Sequence, residues 1–262
     1  MPPLPKPDHL KLPIVGGAYQ RPDKTLLADM YKVSSATASA KLHQLGIRHT
    51  FMQGIVPRYP DRKVVGSAVT LQFMPQREDI LSGIQQEYVE KDSALWHVME
   101  VIEADDVLCV QAFGDPYTGV LGEMLIGYFK NRGGTGVIVD GYIRDWPRVK
   151  ELNVPIWAKG VTPNYASQSH LFPWAHSVPI ACAGVLVLPG DIIIADDDGA
   201  VLVPAKVAPL LLEDAGKHED WEVFSRMRIA EGGALSKYYP LNEEARREYE
   251  AWKQTDQTSS EV

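Results

Sequence analysis

Residues 136–147 read Gly-Val-Ile-Val-Asp-Gly-Tyr-Ile-Arg-Asp-Trp-Pro. The apolar run Val137–Val139, fed by the tight Gly133-Gly134-Thr135-Gly136 turn, predicts a strand. Pro147 to Leu152 predicts a short helix. Upstream, Val120 to Arg132 predicts a helix, with Leu121, Met124, Leu125, Tyr128 and Phe129 on one side. Before that helix stands a buried strand, VLCVQAF, opened by Asp105-Asp106. Earlier still, VVGSAVTLQFM from Val64 is β-branched and nearly continuous, as a strand covered on both faces must be. Downstream, VPIWAKG is one more strand. Strands and helices in this order make an α/β protein.

The flanks fit around that centre. Residues 24–46 have helical spacing with a seam at Val33–Ser35, so two helices are expected. Residues 78–103 read as helical with a loose middle. Residues 162–179 show no period and read as a long loop of the kind that carries function. The stretch ACAGVLVLPGDIIIADDDGAVLVP reads strand, turn, strand, turn, strand, with Asp197-Asp198-Gly199 as a hairpin signal. Helices are expected over 205–231 and 242–253, then a disordered tail, TDQTSSEV. The expected organisation is an extended N-terminal arm over 1–22, one catalytic domain over 23–240, and a C-terminal helix and tail over 241–262.

Composition narrows the function. The formal charge is −8, from 34 acidic and 26 basic residues, which argues against nucleic acid and anionic membranes as partners. No stretch approaches the ~18 apolar residues of a membrane span, and residues 1–13 lack the apolar run of a secretory signal. Cys109 and Cys182 sit in apolar runs without a Cys-x-x-Cys partner, as buried, reduced thiols of a cytoplasmic protein do.

Three stretches carry candidate chemistry. Arg144-Asp145 follows a buried strand, at the carboxyl end where open α/β sheets bind ligands. The guanidinium can grip a carboxylate and the aspartate can ligate a hard metal ion. The plainer alternative is a surface ion pair, or Asp145 as the N-cap of the next helix. Gly119-Val-Leu-Gly122-Glu123-Met124-Leu125 is a glycine-bearing turn entering a helix, which offers backbone N–H groups to an anion. Its plainer alternative is a glutamate placed to complement the helix dipole. Asp196-Asp197-Asp198 is an acidic run, read more readily as a hairpin turn than as a metal cluster. A Walker loop, a G-x-S-x-G elbow and an H-E-x-x-H motif are all missing from the sequence.

Taken together these motifs resemble the RraA-like family, which includes the 4-hydroxy-4-methyl-2-oxoglutarate and 4-carboxy-4-hydroxy-2-oxoadipate aldolases. The similarity runs from about Lys32 to Gly233. Its most specific element is Glu123, twenty intervening residues, then Arg144-Asp145. VVGSAVT, DVLCVQAFGD, GVIVDGYIRD and PGDIIIADDDGAVLVP stand around it in the expected order. The resemblance implies a compact layered sandwich of mixed β-sheet with flanking helices, of the swivelling β/β/α type. It implies a homotrimer or homohexamer with sites between subunits. It implies Mg²⁺ or Mn²⁺ coordinated at Asp145, substrate bound by Arg144, and the pyruvate part held by Gly122, Glu123, Met124 and Leu125. One departure stands out. Where the family has an acidic residue in a Val-Ser-Asp-Ala-Leu-like stretch, this chain has Ala38-Ser39-Ala40-Lys41-Leu42.

The expected activity is that of a divalent-metal-dependent carbon–carbon lyase on a 2-oxo acid, by retro-aldol cleavage or oxaloacetate decarboxylation through a pyruvate-type enolate. Arg144, Glu123 and Asp145 are its expected catalytic residues, with Glu123 ordering water or helping proton transfer. His170 or His176 is the expected reader of the distal half of the substrate. The alternatives are a family member recruited to another lyase or hydrolase reaction, and a non-catalytic regulator of the ribonuclease E type.

Overall fold

The protein is described here by a computed structural model covering residues 10–80, 91–166 and 170–259. Its residues group into two compact units, Met1–Leu211 and Leu212–Val262.

The first unit is built on a mixed sheet. Its centre is four parallel strands, β3 (Val64–Pro75), β4 (Asp106–Gln111), β5 (Gly136–Ile143) and β6 (Ile156–Val161). β2 (Val56–Pro57) extends it antiparallel beyond β6. The other edge of β3 is shared. Its first half pairs antiparallel with β10 (Ile192–Asp196) and its second half with β7 (Leu171–His176). β1 (Ile14–Val15) runs parallel to β7, and β11 (Gly199–Val203) closes a hairpin with β10. β8 (Ile180–Cys182) and β9 (Val185–Val187) form a separate ribbon.

Strand alternation assigns the two faces. Val137 and Val139 enter one cluster with Ile126 and Phe129 of α4 (Glu123–Asn131) and with Val98 and Met99 of α3 (Ala94–Glu100). Val149 of α5 (Trp146–Leu152) joins the same face. Ile138, Cys109 and Trp157 enter the other cluster, against Ile180, Val185 and Ile193. Helices therefore cover one face and β-structure the other, a β/β/α layering. Burial on both faces is why these strands read as continuous apolar runs.

α1 (Lys24–Met30) and α2 (Ser35–Gln44) break at the expected seam. Ser34 caps α2 by accepting from the Thr37 amide at 3.0 Å. The second unit takes in most of α6 (Ala208–Ala230), with α7 (Leu235–Tyr238) and α8 (Glu243–Ser259). Phe224, Tyr238, Leu241, Ala245 and Tyr249 form its apolar cluster. Among the described residues no helix is long and apolar enough to cross a membrane.

Three sequence expectations change. The stretch 162–179 is not one long loop, because residues 171–176 are the strand β7. Pro173 and two aromatics hide its period, and β7 registers with β3 through a bulge at Gln72/Phe73. The helix expected over 242–253 runs on to Ser259, through part of the tail expected to be disordered. Of the helix expected over 78–103, α3 covers 94–100, and its middle, 81–90, lies outside the described residues.

The N-terminal stretch is tied to the sheet by charge as well as by β1. Arg21 forks onto Asp106 at the start of β4, with Nε–Oδ1 2.9 Å and Nη2–Oδ2 3.0 Å. The Asp106 side chain is fully buried and also accepts from the Glu103 amide at 2.7 Å. Burial raises its pKa above the ordinary carboxylate value, against the pull of Arg21. Removing the guanidinium leaves a buried, uncompensated charge. Arg21→Met is expected to cost about 2–3 kcal/mol in urea unfolding at pH 7, a partial value because Arg21 is itself a quarter exposed. A loss under about 0.5 kcal/mol would show the pair to be no more than a surface contact.

Candidate active site at the carboxyl edge of the sheet

The chain leaves β5 at Ile143 and turns at once into α5. Asp145 makes that turn in the left-handed region, with φ 58° and ψ 28°. Such a conformation costs a non-glycine residue about 1 kcal/mol, and aspartate is one of the few that tolerate it. Asp145 occupies the N-cap position of α5, yet its side chain makes no capping hydrogen bond. The plain capping role open to it in the sequence is therefore not the one it plays. Its carboxylate instead faces Arg144, with Arg144 Nε 3.5 Å from Asp145 Oδ2, and both side chains are about two-fifths exposed.

The segment before α4 lies along this edge like a short extra strand. The Val120 amide donates to the Tyr142 carbonyl and the Arg144 amide to the Leu121 carbonyl, both at 2.9 Å. These two bonds place Gly122 directly under the Arg-Asp pair. A Cβ on Gly122 would lie 2.4 Å from Asp145 Oδ2 and 3.0 Å from Arg144 Nε, so only glycine leaves that space open. Gly122 is the N-cap of α4 and offers no side chain to it. The first intrahelical bond is Ile126 N to Gly122 O, which leaves the amides of Glu123, Met124 and Leu125 ahead of it. An open helix terminus, a guanidinium and a carboxylate thus meet at one place.

Glu123 lies in the first turn of α4, and its Oε2 is 3.2 Å from Arg148 Nη1 on α5. Met124 is 80% exposed, and its backbone amide is one of the three ahead of that first helical bond. Leu125 packs partly into the core. Tyr165 brings its ring to 6.0 Å from the Arg144 guanidinium.

The two histidines separate. His170 lies at the same sheet edge, where its carbonyl accepts from the Gln76 amide just beyond β3. Its Nδ1 is 3.2 Å from Asp115 Oδ1, and its ring is 4.6 Å from that of Tyr117. His176 is 3% exposed at the inner end of β7. There it lines a cavity of about 460 Å³ with Tyr19, Arg21, Glu100 and Glu103, to which none of residues 122–125, 144 or 145 contributes. His176 accordingly lies away from the Arg144 site within this chain. β7 runs inward from its start, and the histidine at its far end is carried into the core.

Burial and the neighbouring His97 hold the His176 pKa below its ordinary value. The folded state therefore favours neutral imidazole. That stability is present above the unfolded value near 6.5 and is lost as pH falls through the lower folded value. The urea midpoint of the wild type is expected to fall more steeply between about pH 7.5 and 5 than that of His176→Gln. Parallel curves would remove the effect.

The acidic hairpin is structural. Asp196 accepts from the Ser35 amide at 2.8 Å and from the Ser35 hydroxyl, which ties α2 to β10. Asp197 accepts from the Asp61 amide at 3.0 Å. Among the described residues no group of three or more His, Cys, Asp or Glu is placed to hold a metal ion. A divalent ion at this site would have one protein carboxylate, Asp145, with the Gly122 gap beside it. That donor set suits a hard ion that keeps most of its ligands as water or substrate oxygen.

Other residues were not singled out in the sequence. Asp115 follows the carboxyl end of β4 and binds Thr118 Oγ1 and His170. Its only signal was a charged residue just after a buried strand. Lys159 of β6 places Nζ 2.8 Å from Asp140 Oδ1 of β5, a charge contact that leaves Oδ1 without a well-directed hydrogen bond. Cys182 nearby is buried and its thiol is pushed up to about 12 by desolvation, an inert core group.

Known proteins carry the same arrangement of elements. The Aldolase/RraA family, described as RraA-like, matches residues 24–202. A putative 4-hydroxy-4-methyl-2-oxoglutarate aldolase of Halalkalibacterium halodurans is 32% identical over 165 residues, 63% of this chain and 71% of that protein. The 4-hydroxy-4-methyl-2-oxoglutarate aldolase of Thermus thermophilus is 34% identical over 117 residues, 44% of this chain and 70% of that protein. Among solved structures, RraAS2 of Streptomyces coelicolor, described as an unusual member of the RNase ES inhibitor RraA protein family, superposes with a TM-score of 0.74 at 55% identity. It covers 80% of this chain and all of its own. With the family's match spanning β2 to β10 and the Arg144-Asp145 edge, this chain belongs to the RraA-like family.

Proposed function

We propose that the protein is a divalent-metal-dependent carbon–carbon lyase that forms a pyruvate-type enolate from a 2-oxo acid, by retro-aldol cleavage of a 4-hydroxy-2-oxo acid, oxaloacetate decarboxylation, or both. The observation that carries this reading is the Asp145 carboxylate, without a helix-capping bond and paired with Arg144, over the Cβ-less Gly122. The aldolase names of two relatives support the reaction class.

Breaking a bond β to the ketone puts negative charge on the ketone oxygen, and catalysis requires that charge to be held better in the transition state than in the ground state. Arg144 supplies a fixed cation for the substrate carboxylate and the developing oxyanion. The amides of residues 123–125 supply oriented dipoles. Asp145 would hold Mg²⁺ or Mn²⁺, which when bound supplies Lewis acidity at the ketone oxygen. Glu123, fixed by Arg148, orders water at the mouth of the site. Met124, Tyr117 and Phe113 are exposed apolar residues on or beside this edge. They support a trimer or hexamer in which a neighbouring subunit covers it. The protein acts in the cytoplasm on a small anionic substrate.

Pyruvate release from oxaloacetate and from 4-hydroxy-2-oxo acids, with Mg²⁺ or Mn²⁺, is the test. EDTA and Asp145→Ala are each expected to lower it by about 10²-fold or more, the scale of one lost electrostatic contributor. Activity that survives both sinks the metal role.

The 55% identity to a member of the RNase ES inhibitor RraA family supports a second reading, a regulator that acts by binding a ribonuclease. Under that reading, Asp145→Ala leaves ribonuclease inhibition intact and pyruvate is not formed.

A further inference from the structure

Asp115 and His170 form a dyad outside the Arg-Asp pair. The Asp115 side chain is only 11% exposed and takes Thr118 Oγ1 on one oxygen and His170 Nδ1 on the other. A carboxylate only accepts hydrogen bonds, so the proton of this contact sits on Nδ1 and the lone pair of the neutral ring on Nε2. Tyr117 packs on the ring, and the His170 side chain is about half exposed. The orientation resembles that of a histidine base held by an aspartate.

The dyad belongs to the walls of the same edge. Asp115 and Thr118 begin the segment that continues through Gly119 to Gly122. A Cβ on Gly119 would lie 3.0 Å from Arg144 Cβ and 2.3 Å from the Asn164 carbonyl. Gly119, on the segment that carries Asp115, thus packs against both Arg144 and Asn164, and the Tyr165 ring lies 6.0 Å from the Arg144 guanidinium.

We propose that His170 is the general base of retro-aldol cleavage, taking the proton of the C4 hydroxyl, and that Asp115 is its positioning residue. The inference rests on the 2-oxo acid reading of the site. Nε2 takes the hydroxyl proton as the O–H pair becomes the second bond of the new C4 carbonyl. The C3–C4 bond breaks and its pair forms the C2–C3 double bond of the enolate, with charge on the C2 oxygen facing Arg144. Nε2 then loses its proton to water, and the enolate takes one from water at C3 to give pyruvate. No oxidant, reductant or further reactant is needed. Oxaloacetate decarboxylation makes the same enolate by losing carbon dioxide, with no hydroxyl proton to remove.

The test compares full-length wild type, His170→Ala, Asp115→Asn and the double variant on 4-hydroxy-4-methyl-2-oxoglutarate and on oxaloacetate. The ratio of aldol cleavage to decarboxylation is expected to fall about 10²-fold in His170→Ala. Added imidazole is expected to restore part of the cleavage, which a merely structural histidine does not allow. Asp115→Asn is expected to lower cleavage kcat about 10-fold with KM within about twofold, and to add nothing to His170→Ala. A ratio unchanged by His170→Ala, or cleavage deaf to imidazole, overturns the base. Wild type that decarboxylates oxaloacetate but cleaves no 4-hydroxy-2-oxo acid overturns it while the enolate reading stands. Wild type inactive on both substrates, or Arg144→Ala without effect on either, removes the enolate reading and the base with it.

Discussion

Gly122→Ala is expected to lower kcat/KM for pyruvate release by about 10²-fold while leaving the fold intact. The backbone at Gly122 has φ −126° and ψ −175°, an extended conformation that alanine adopts without strain. The added methyl, however, would sit 2.4 Å from Asp145 Oδ2 and 3.0 Å from Arg144 Nε. Both side chains are partly exposed and free to swing outward, so the clash resolves by displacing the site rather than the core. A misplacement of about 1 Å at a reacting centre is worth a loss of that size. Thermal melting within a few degrees of wild type, beside the kinetic loss, would separate the two effects. Wild-type kinetics in this variant would show that the space under the Arg-Asp pair is not where substrate sits.

Arg144→Ala carries the largest expected loss, about 10³-fold in kcat/KM on every 2-oxo acid substrate, or about 4 kcal/mol of barrier. Arg144→Lys is expected to recover little of it. A lysine keeps the charge but lacks the planar fork that grips a carboxylate with two parallel bonds. Neither change should unfold the protein, because the side chain is about two-fifths exposed and its guanidinium lies beside Asp145 and the Tyr165 ring. The loss should appear with oxaloacetate and with 4-hydroxy-2-oxo acids alike, since both place the same carboxylate and oxyanion there. A loss confined to one substrate would move Arg144 from the common enolate to the distal group. If the Arg144→Lys variant were as active as wild type, the bidentate grip would fall and a simple positive charge would be enough.

Part of this protein was legible in the sequence by itself. Strands buried on both faces write their apolar character continuously along the chain, so β3, β4, β5 and β6 could be read from VVGSAVTLQFM, VLCVQAF, VIVD and VPIWAKG. The two-helix seam before Ser35 and the Asp-Asp-Gly hairpin are local signals of capping and turn chemistry. Arg144-Asp145 and the Gly122-Glu123 turn stood out because they break local rules next to such strands.

What only the tertiary structure decided is what depends on partners far away in the chain. Asp145 declines its local cap because Gly122, a full helix and strand earlier in the chain, leaves a space for its carboxylate. Asp196 and Asp197 are spent on Ser35 and Asp61, so this part of an acidic run that looked like chemistry is a fastening. His170 and His176 are six residues apart in one stretch, yet β7 carries one to the open edge and the other into the core. Periodicity reports which face of an element is buried. It carries no information about which distant side chain completes a site, because that contact energy arises only when the sheet brings separate strand ends together.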